Sequence, residues 1–376
     1  MSLIEGFQGI ISGIEKEKII ETIILILDRI FSFYEYIGNF VYDYFVNYSR
    51  LILDYIHVVF DSIFYVLLYF TIILTFTYVV IGIYLYFKKY NKKEYPIDGK
   101  NLPFVTIQIP TYNEIVALNC AKRCLNFDYP KDKYEIIIGD DSSEKKISKK
   151  IDKFAKKHQD MVKVTRRGNN KGYKPGNLNH MLKYTKGEYI VIFDSDFLPE
   201  KDFLKRIIAP FLHDKNISAV QARWRTKNFS QNLSSIIGGT IPLFTHHLGL
   251  PFLNRINGNK FIAGSAEAIK KKDLIKLGGW RAGALTEDIE YSLKLTFAGK
   301  KIIYLEDLYC ECEAPFTLPD LCKQQMRWAY GVITALKIYF KNIIQNKNLK
   351  FKDKFNTFLL LSGYITTILF FLLSVT

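Results

Sequence analysis

The longest apolar run in the chain covers residues 62–87, which contain no Lys, Arg, Asp or Glu. A second such run covers residues 355–376. Each run is long enough to cross a bilayer as a helix, which takes about 20 residues. Because buried helices of globular domains seldom stay uncharged over this length, the pattern predicts two transmembrane helices. A buried core helix is the alternative for each run.

Acidic side chains recur every seven residues ahead of the first predicted span. Glu21, Asp28 and Glu35 lie in a stretch that is otherwise rich in Ile, Leu, Phe and Tyr. This spacing places them in one narrow polar stripe along a helix. Residues 1–61 are therefore predicted to form an amphipathic helical region on the membrane surface. A packed helical hairpin is the alternative.

Between the two apolar runs, short β-branched segments alternate with helix-length amphipathic segments. The predicted strands cover residues 105–110, 134–141, 162–167, 189–196, 218–224 and 301–307. This alternation predicts an α/β fold with an open, mostly parallel sheet and helices on both faces, flanked by the transmembrane and amphipathic helices. Ligands bind such sheets at the carboxyl ends of the strands, which is where the acidic clusters of this chain fall.

The charge of the chain is divided unevenly across the first predicted span. Residues 1–61 hold nine acidic and four basic side chains, a net charge of −5, so the +15 of the whole chain leaves +20 for residues 88–354. The positive-inside bias predicts an integral membrane protein whose domain 88–354 faces the cytoplasm. The basic residues are dispersed without interleaved aromatics, so no nucleic-acid partner is expected. Attraction to anionic membrane lipids explains the charge more simply.

Two carboxylates, Asp194 and Asp196, follow the apolar residues of one predicted strand and are separated by a single residue. Hard oxygen ligands in this arrangement suit Mg²⁺ or Mn²⁺, which keeps substrate phosphate among its ligands. The alternative is an ordinary acidic loop after a strand.

A second acidic pair, Asp140 and Asp141, ends another predicted strand. A carboxylate at this place can accept hydrogen bonds from a base or a ribose, as in dinucleotide-binding folds. The alternative is a helix N-cap, for which Asp141 and Ser142 are both suited. The two interpretations are compatible.

A third acidic pair, Glu287 and Asp288, begins an amphipathic segment. One of these acids, beside a metal and a diphosphate, could serve as a general base. The structural alternative is that Thr286 caps a helix and the acids lie favourably in its first turn.

The stretch from Gln324 to Trp328 combines polar, cationic and aromatic side chains. The planar fork of Arg327 can pair with diphosphate oxygens, and the Trp328 ring offers a flat face for a sugar. The alternative for Trp328 is an interfacial aromatic near a membrane helix.

Taken in order, these elements resemble the signature of membrane-bound family 2 glycosyltransferases, which include cellulose, hyaluronan, chitin and β-mannan synthases. The segments 110–114, 174–179 and 264–265 agree in order, and the stretch 313–331 is most similar to glucomannan and mannan synthase-like members. The resemblance covers about residues 103–335 and implies a GT-A-like fold.

The resemblance also implies a role for each matching residue. Asp288 is expected to be the catalytic base, and Asp196 with Asp194 to bind the metal. The residues expected to bind the donor are Thr111, Tyr112, Glu114, Asp140, Asp141, Lys174 and Asp194. The residues expected to line the acceptor and diphosphate site are Gly264, Ser265, Glu287, Gln324, Arg327 and Trp328.

The implied reaction is inverting transfer of a hexose from a UDP- or GDP-linked donor to a hydroxyl acceptor, which forms a β-glycosidic bond in a growing glycan. Single transfer to a lipid (polyprenyl phosphate, ceramide or diacylglycerol) is the alternative, because one partial apolar span follows the predicted catalytic domain. Glu267 departs from the family, in which a small or aromatic residue is expected, and this points to a different acceptor. Association with a second copy is left open. An inactive scaffold is disfavoured because all the expected acids are present.

Overall fold

A computed structural model of the chain describes residues 13–97, 101–347, 349–361 and 363–364. The chain divides into two units, one of residues 1–72 with 369–376 and the other of residues 73–368. The described part of the first unit is helical from Gly13 onward.

The first helix, α1, runs from Gly13 to Phe87 without a break. It covers residues 13–61 of the predicted amphipathic region, the part that is described, and the whole predicted span 62–87. The hairpin alternative is therefore wrong for the described residues before 62. Among the described residues, two helical stretches are long and apolar enough to cross a membrane: Glu17–Phe87 and Leu233–Arg255. The second was not expected from the sequence. The predicted span 355–376 lies largely outside the described residues, which end at 364.

The second unit contains strands that alternate with helices. The strands are β1 (Val105–Thr111), β2 (Tyr134–Asp140), β3 (Val162–Thr165), β4 (Tyr189–Ile192), β5 (Ile217–Thr226), β6 (Glu267–Lys270) and β7 (Lys301–Cys312). The helices after α1 are α2 (Ala117–Cys124), α3 (Lys145–Lys157), α4 (Tyr173–Leu182), α5 (Phe203–His213), α6 (Leu233–Phe244), α7 (Leu250–Arg255), α8 (Lys271–Lys276), α9 (Glu287–Phe297), α10 (Leu318–Gln345) and α11 (Phe351–Leu361). A π-helical turn, Thr245–Gly249, joins α6 to α7.

Within the described residues, these strands form one sheet in the order β3-β2-β1-β4-β6-β5-β7. All neighbouring pairs are parallel except the two pairs that β6 makes with β4 and β5. The predicted open, mostly parallel sheet is therefore confirmed. Strand β6 was missed because it has four residues and both of its ends are charged. Strand β4 ends four residues earlier than predicted, and β7 extends five residues further.

Helices cover both faces of the sheet, as predicted. On one face, Ile107 and Ile109 of β1 belong to a buried cluster with the apolar side of α2 and α5, including Ile207. On the other face, Ile190 of β4 belongs to a cluster with Leu178 of α4 and with side chains of α9. The alternation of strand side chains between the two clusters follows from the two-residue repeat of a strand.

The register of the strands gathers the acidic residues at one edge. Thr111 at the end of β1 pairs with Asp140 at the end of β2. Ile192 at the end of β4 pairs with Glu267 at the beginning of the antiparallel β6. The residues that follow β1, β2 and β4, and those that precede β6, therefore lie along the same side of the sheet.

Candidate active site

The metal-binding candidates Asp194 and Asp196 lie in the turn directly after β4. The backbone N–H of Asp194 donates to Oγ of Ser265 at 2.8 Å. The backbone N–H of Glu313, just after β7, donates to Oδ2 of Asp196 at 3.2 Å. Burial, and then the neighbouring charge of Asp194, raise the pKa of Asp196 to about 7.

This carboxylate pair fits a divalent cation that takes few ligands from the protein. Among the described residues, no group of three or more His, Cys, Asp or Glu side chains is arranged to hold a metal. Mg²⁺ commonly binds through one or two carboxylates and completes its coordination with water and substrate phosphates. Burial and the charge of Asp194 disfavour the ionised form of Asp196, and a bound divalent cation would favour that form.

The ammonium group of Lys174, on α4, joins three parts of the site. Its Nζ lies 2.7 Å from Oδ1 of Asp194 and 3.3 Å from Oε1 of Glu287. It also donates to the carbonyl oxygen of Gly264 at 2.6 Å. Burial alone would lower the pKa of Lys174, but the two carboxylates raise it above its ordinary value, so the side chain stays cationic. Glu287 is buried against Lys174, and its expected role toward the acceptor stays a prediction.

Asp288, the expected base, lies in the first turn of α9. Burial, and then the charge of Glu287, raise its pKa to about 7, although Lys174 opposes the shift. A Cβ added at Gly264, whose φ is +84°, would lie 3.2 Å from Oδ2 of Asp288. Glycine is therefore needed here for its backbone conformation, and a side chain would crowd the base.

Thr286 occupies the N-cap position of α9, but its hydroxyl makes no cap hydrogen bond. Its Oγ1 is buried and lacks a hydrogen-bond partner among the described residues. The position expected from the sequence is thus correct, and the expected capping by the hydroxyl is wrong. The backbone of α10 packs closely against Thr286 at Gly331, since a Cβ added at Gly331 would lie 2.8 Å from Thr286 Oγ1.

The close approach at Gly331 fixes the face that α10 turns toward α9. Gln324 and Trp328 precede Gly331 by seven and three residues, so they lie on the same face of α10. Both are partly buried, whereas Arg327 is exposed. Arg327 precedes Gly331 by four residues and shares this face, so Gln324, Arg327 and Trp328 all lie on the side of α10 that faces the beginning of α9, where Asp288 lies.

The acids at the end of β2 have arginine partners. Arg166 Nε donates to Oδ2 of Asp140 at 2.7 Å, and Arg167 forms two hydrogen bonds with the Asp141 carboxylate. Burial alone would raise the pKa of Asp140, but hydrogen bonds from Ser142 and Arg166 lower it below its ordinary value. The N-cap interpretation of Asp141 and Ser142 is wrong, because α3 begins only at Lys145 and the residue at its N-cap is Glu144.

The remaining donor candidates follow β1. Thr111 donates through Oγ1 to the carbonyl oxygen of Glu114 at 3.2 Å, and the side chains of Tyr112 and Glu114 are exposed. Asn113 was not singled out from the sequence. It has a φ of +57°, and its N–H donates to Oγ of Ser142 at 2.9 Å, so it ties the turn after β1 to the turn after β2.

Two further contacts of the candidate site were not predicted from the sequence. Arg166 and Arg167 come directly after β3, the strand beside β2. The sequence signal for these ion pairs was therefore a pair of arginines at the end of one strand and a pair of acids at the end of another. Gln221 of β5 is buried, and its Nε2 donates to the carbonyl oxygen of Ser265 at 3.0 Å. No pattern in the sequence indicates that contact.

The chain is similar in sequence to known glycosyltransferases. Residues 106–273 match the family model described as glycosyl transferase family 2. Glucomannan 4-beta-mannosyltransferase 2 of Arabidopsis thaliana is 30% identical over 295 residues, 73% of this chain and 54% of the relative. Probable glucomannan 4-beta-mannosyltransferase 11 of Oryza sativa subsp. japonica is 31% identical over 260 residues, 67% of this chain and 45% of the relative. The chain thus spans about half the length of these curated relatives.

Solved structures also resemble this chain, and one of them matches most of its length. It is the mannosyltransferase PcManGT from Pyrobaculum calidifontis in complex with GDP-Man and Mn²⁺, with a TM-score of 0.63 and 22% identity. The match covers 84% of this chain and 85% of the solved chain. At this identity the likeness concerns the fold, and it confirms the GT-A-like architecture.

Proposed function

Because the chain belongs to glycosyl transferase family 2 through residues 106–273, as its motifs predicted, we propose that it transfers a mannosyl residue from GDP-mannose to a hydroxyl group of a glycan. The product is a β-glycosidic bond, formed with inversion at the anomeric carbon. The curated relatives are glucomannan mannosyltransferases, and PcManGT was solved with GDP-Man and Mn²⁺. Both support the choice of sugar and nucleotide.

The observation that carries the proposal is the position of Asp288 beside the cationic Lys174. The Asp288 carboxylate, with a pKa of about 7, accepts the proton of the acceptor hydroxyl. A base whose pKa lies near the working pH is the most effective at this step. The hydroxyl oxygen then forms a bond to the anomeric carbon, and the bond from that carbon to the diphosphate breaks. A single displacement turns an α-linked donor into a β-linked product.

The leaving nucleoside diphosphate carries negative charge that the site must balance. Asp194 and Asp196 would hold Mg²⁺ or Mn²⁺, which when bound neutralises charge on that diphosphate. Lys174 remains cationic next to Asp194, so its ammonium group is suited to contact a donor phosphate. Thr111, Tyr112 and Glu114, at the end of β1, are proposed to contact the nucleoside together with Asp141.

We further propose that this reaction takes place at a membrane, with residues 88–354 in the cytoplasm. The long apolar helix and the charge difference between residues 1–61 and 88–354 support this arrangement. Protease added to sealed, right-side-out cells is expected to leave the domain 88–354 intact. Digestion of this domain in intact cells would contradict the proposed orientation.

The test is donor-dependent diphosphate release by the full chain in lipid nanodiscs. GDP-mannose, GDP-glucose, UDP-glucose and UDP-N-acetylglucosamine are each supplied with Mn²⁺ and with manno-oligosaccharides or polyprenyl phosphate. We expect GDP release from GDP-mannose that depends on the oligosaccharide, and a β-anomeric product by NMR. Release only from UDP-sugars would overturn the donor. A single mannose on polyprenyl phosphate, with no oligosaccharide product, would establish the lipid alternative.

A further inference from the structure

The loop that enters β6, residues 263–266, contacts the residues on which the proposed transfer depends. The carbonyl oxygen of Gly264 accepts a hydrogen bond from Lys174 Nζ at 2.6 Å. Oγ of Ser265 accepts one from the backbone N–H of Asp194 at 2.8 Å. We call residues 263–266 the entry loop. Its position therefore sets the relative positions of the phosphate-binding lysine and the metal-binding turn.

The side chain of Glu267 anchors the entry loop from the buried interior. It is fully buried, and its Oε2 accepts a hydrogen bond from the backbone N–H of Gly264 at 2.7 Å. Gly264 is thus held on both sides, through its N–H by Glu267 and through its carbonyl by Lys174. Gly264 also lies against the Asp288 carboxylate. A shift of Gly264 would therefore change the backbone surface against which Asp288 packs.

The buried position of Glu267 favours the neutral form of its carboxyl group. Its Oε1 is buried and has no hydrogen-bond partner among the described residues. An unpaired buried carboxylate would be very costly, and the carboxylates of Asp194 and Glu287 already contact the ammonium group of Lys174. Burial, and then the charge of Asp288, raise the pKa of Glu267 well above its ordinary value. Its contribution is therefore a hydrogen bond rather than a charge.

We propose that Glu267 is a positioning residue for the transfer step, which holds Gly264 so that Asp288 and Lys174 keep their spacing. Glu267 is too deeply buried to touch either substrate, so it acts through the entry loop. This inference rests on the proposed function, since it takes Asp288 to be the base. It also gives a reason for an acid at a position where a small or aromatic residue was expected.

The test compares Glu267→Gln with Glu267→Met in the full chain in nanodiscs. Both replacements are close to glutamate in size, but only glutamine offers an oxygen to the Gly264 N–H, and it mimics a neutral carboxyl group. We expect Glu267→Gln to keep kcat within about 3-fold and to leave the pH midpoint of kcat unchanged. We expect Glu267→Met to lower kcat by about 100-fold, the cost of a small misplacement in a site, while GDP-mannose affinity stays within about 3-fold.

Hydrogen exchange of a peptide covering residues 263–267 provides a readout that does not depend on activity. The Gly264 amide is expected to exchange faster in Glu267→Met than in the native chain, and at the native rate in Glu267→Gln. If this difference is seen but the native chain does not use GDP-mannose, the proposed function fails and the hydrogen bond stands.

Equal kcat in the native chain and Glu267→Met would overturn the positioning role, and so would a glutamine variant as impaired as the methionine variant. If Glu267→Met does not fold, the glutamine variant decides alone. A kcat below about a tenth of native, or a shifted pH midpoint, then rejects the proposal.

Discussion

Two acidic pairs that look alike in the sequence have opposite electrostatic environments in the structure. Asp140 and Asp141, after β2, are matched by arginines, and the pKa of Asp140 is lowered. Asp196, after β4, and Asp288, at the beginning of α9, have pKa values raised to about 7. Each carboxylate of the first pair forms an ion pair with an arginine. The raised pKa values of the second group arise first from burial and then from neighbouring carboxylates, so these side chains are prepared to take a proton or a divalent cation.

The difference arises from which strand lies next to each pair. Strand β2 is flanked by the parallel β3, whose carboxyl end leads into Arg166 and Arg167. Strand β4 is flanked by the antiparallel β6, whose amino end begins with Glu267. Parallel pairing thus brings arginines to Asp140 and Asp141, whereas the neighbour of β4 begins with a buried acid, and the cation beside Asp194, Lys174, comes from helix α4. Four sets of measurements test this contrast between the two groups of acids.

The largest effect is expected for Asp288→Asn. The replacement keeps the shape of the side chain but removes its basicity, and a general base typically contributes about 10²–10⁴-fold in rate. We expect kcat to fall by this factor while GDP-mannose affinity changes by less than about 3-fold. Transfer is measured as GDP release, and donor binding by calorimetry. The control is Asp202→Asn, at a half-exposed acid that pairs with Arg206. A loss of donor affinity with near-normal turnover would instead make Asp288 a structural residue and Glu287 the candidate base.

The second effect concerns Asp196→Asn. Loss of even an outer-shell partner typically lowers metal affinity by about 10–100-fold, so loss of a proposed ligand is expected to weaken Mn²⁺-dependent donor binding by at least about 100-fold. Donor binding is titrated with and without Mn²⁺ in the variant and in the native chain. If the Mn²⁺ dependence is the same in both, the assignment of the metal to the turn after β4 is wrong.

The third effect is a pH dependence of kcat. Because the pKa of Asp288 is raised to about 7, the carboxylate is protonated and inactive below that value and is ready to accept a proton above it. With donor and Mn²⁺ saturating, we expect kcat to rise with pH through about 7 and to be about 100-fold lower at pH 5 than at its plateau. A kcat that stays constant between pH 5 and pH 7 would show that Asp288 titrates as an ordinary exposed acid.

The sequence predicts the parts of this site that depend on strand ends. The runs that end at Asp140 and Asp196 indicate which edge of the sheet would hold a ligand, because open parallel sheets bind ligands at the carboxyl ends of their strands. The sequence does not predict the partners of those acids. Whether Asp140 meets Arg166 depends on strand order, and strand order is set by packing between segments far apart in the chain.

Two further differences between the sequence prediction and the structure, strand β6 and the continuity of α1, have local causes. Strand β6 is recognisable only by its pairing with β4 and β5, since the segment Glu-Ala-Ile-Lys has no alternating pattern long enough to indicate a strand. The continuity of α1 across residue 61 was missed because its acidic and uncharged parts differ in composition. The backbone hydrogen bonds of a helix do not depend on whether its side chains are acidic or uncharged. A change in composition along the chain therefore does not mark the end of a helix.

The smallest effect on kcat is expected for Arg167→Leu, which tests the acids Asp140 and Asp141 that are paired with arginines. Arg167 bonds both oxygens of Asp141, and its Nη1 donates to the carbonyl oxygen of Lys171 at 2.6 Å. Removal of one partner of a buried pair typically costs about 3–5 kcal/mol, because the other charge stays buried and unpaired. For a domain of this size, that loss lowers Tm by about 10 °C. We expect kcat of the folded variant at saturating donor to stay within about 3-fold.

The double variant Arg167→Leu with Asp141→Asn separates pairing from chemistry. Removal of both charges leaves no unpaired carboxylate, so we expect it to recover most of the lost Tm, with a coupling energy that a double-mutant cycle measures. Donor affinity is expected to fall in the double variant alone, since Asp141 is proposed to contact the nucleoside. If Arg167→Leu keeps its Tm but loses more than about 100-fold in kcat, Arg167 takes part in transfer, and the contrast between the two acidic pairs fails.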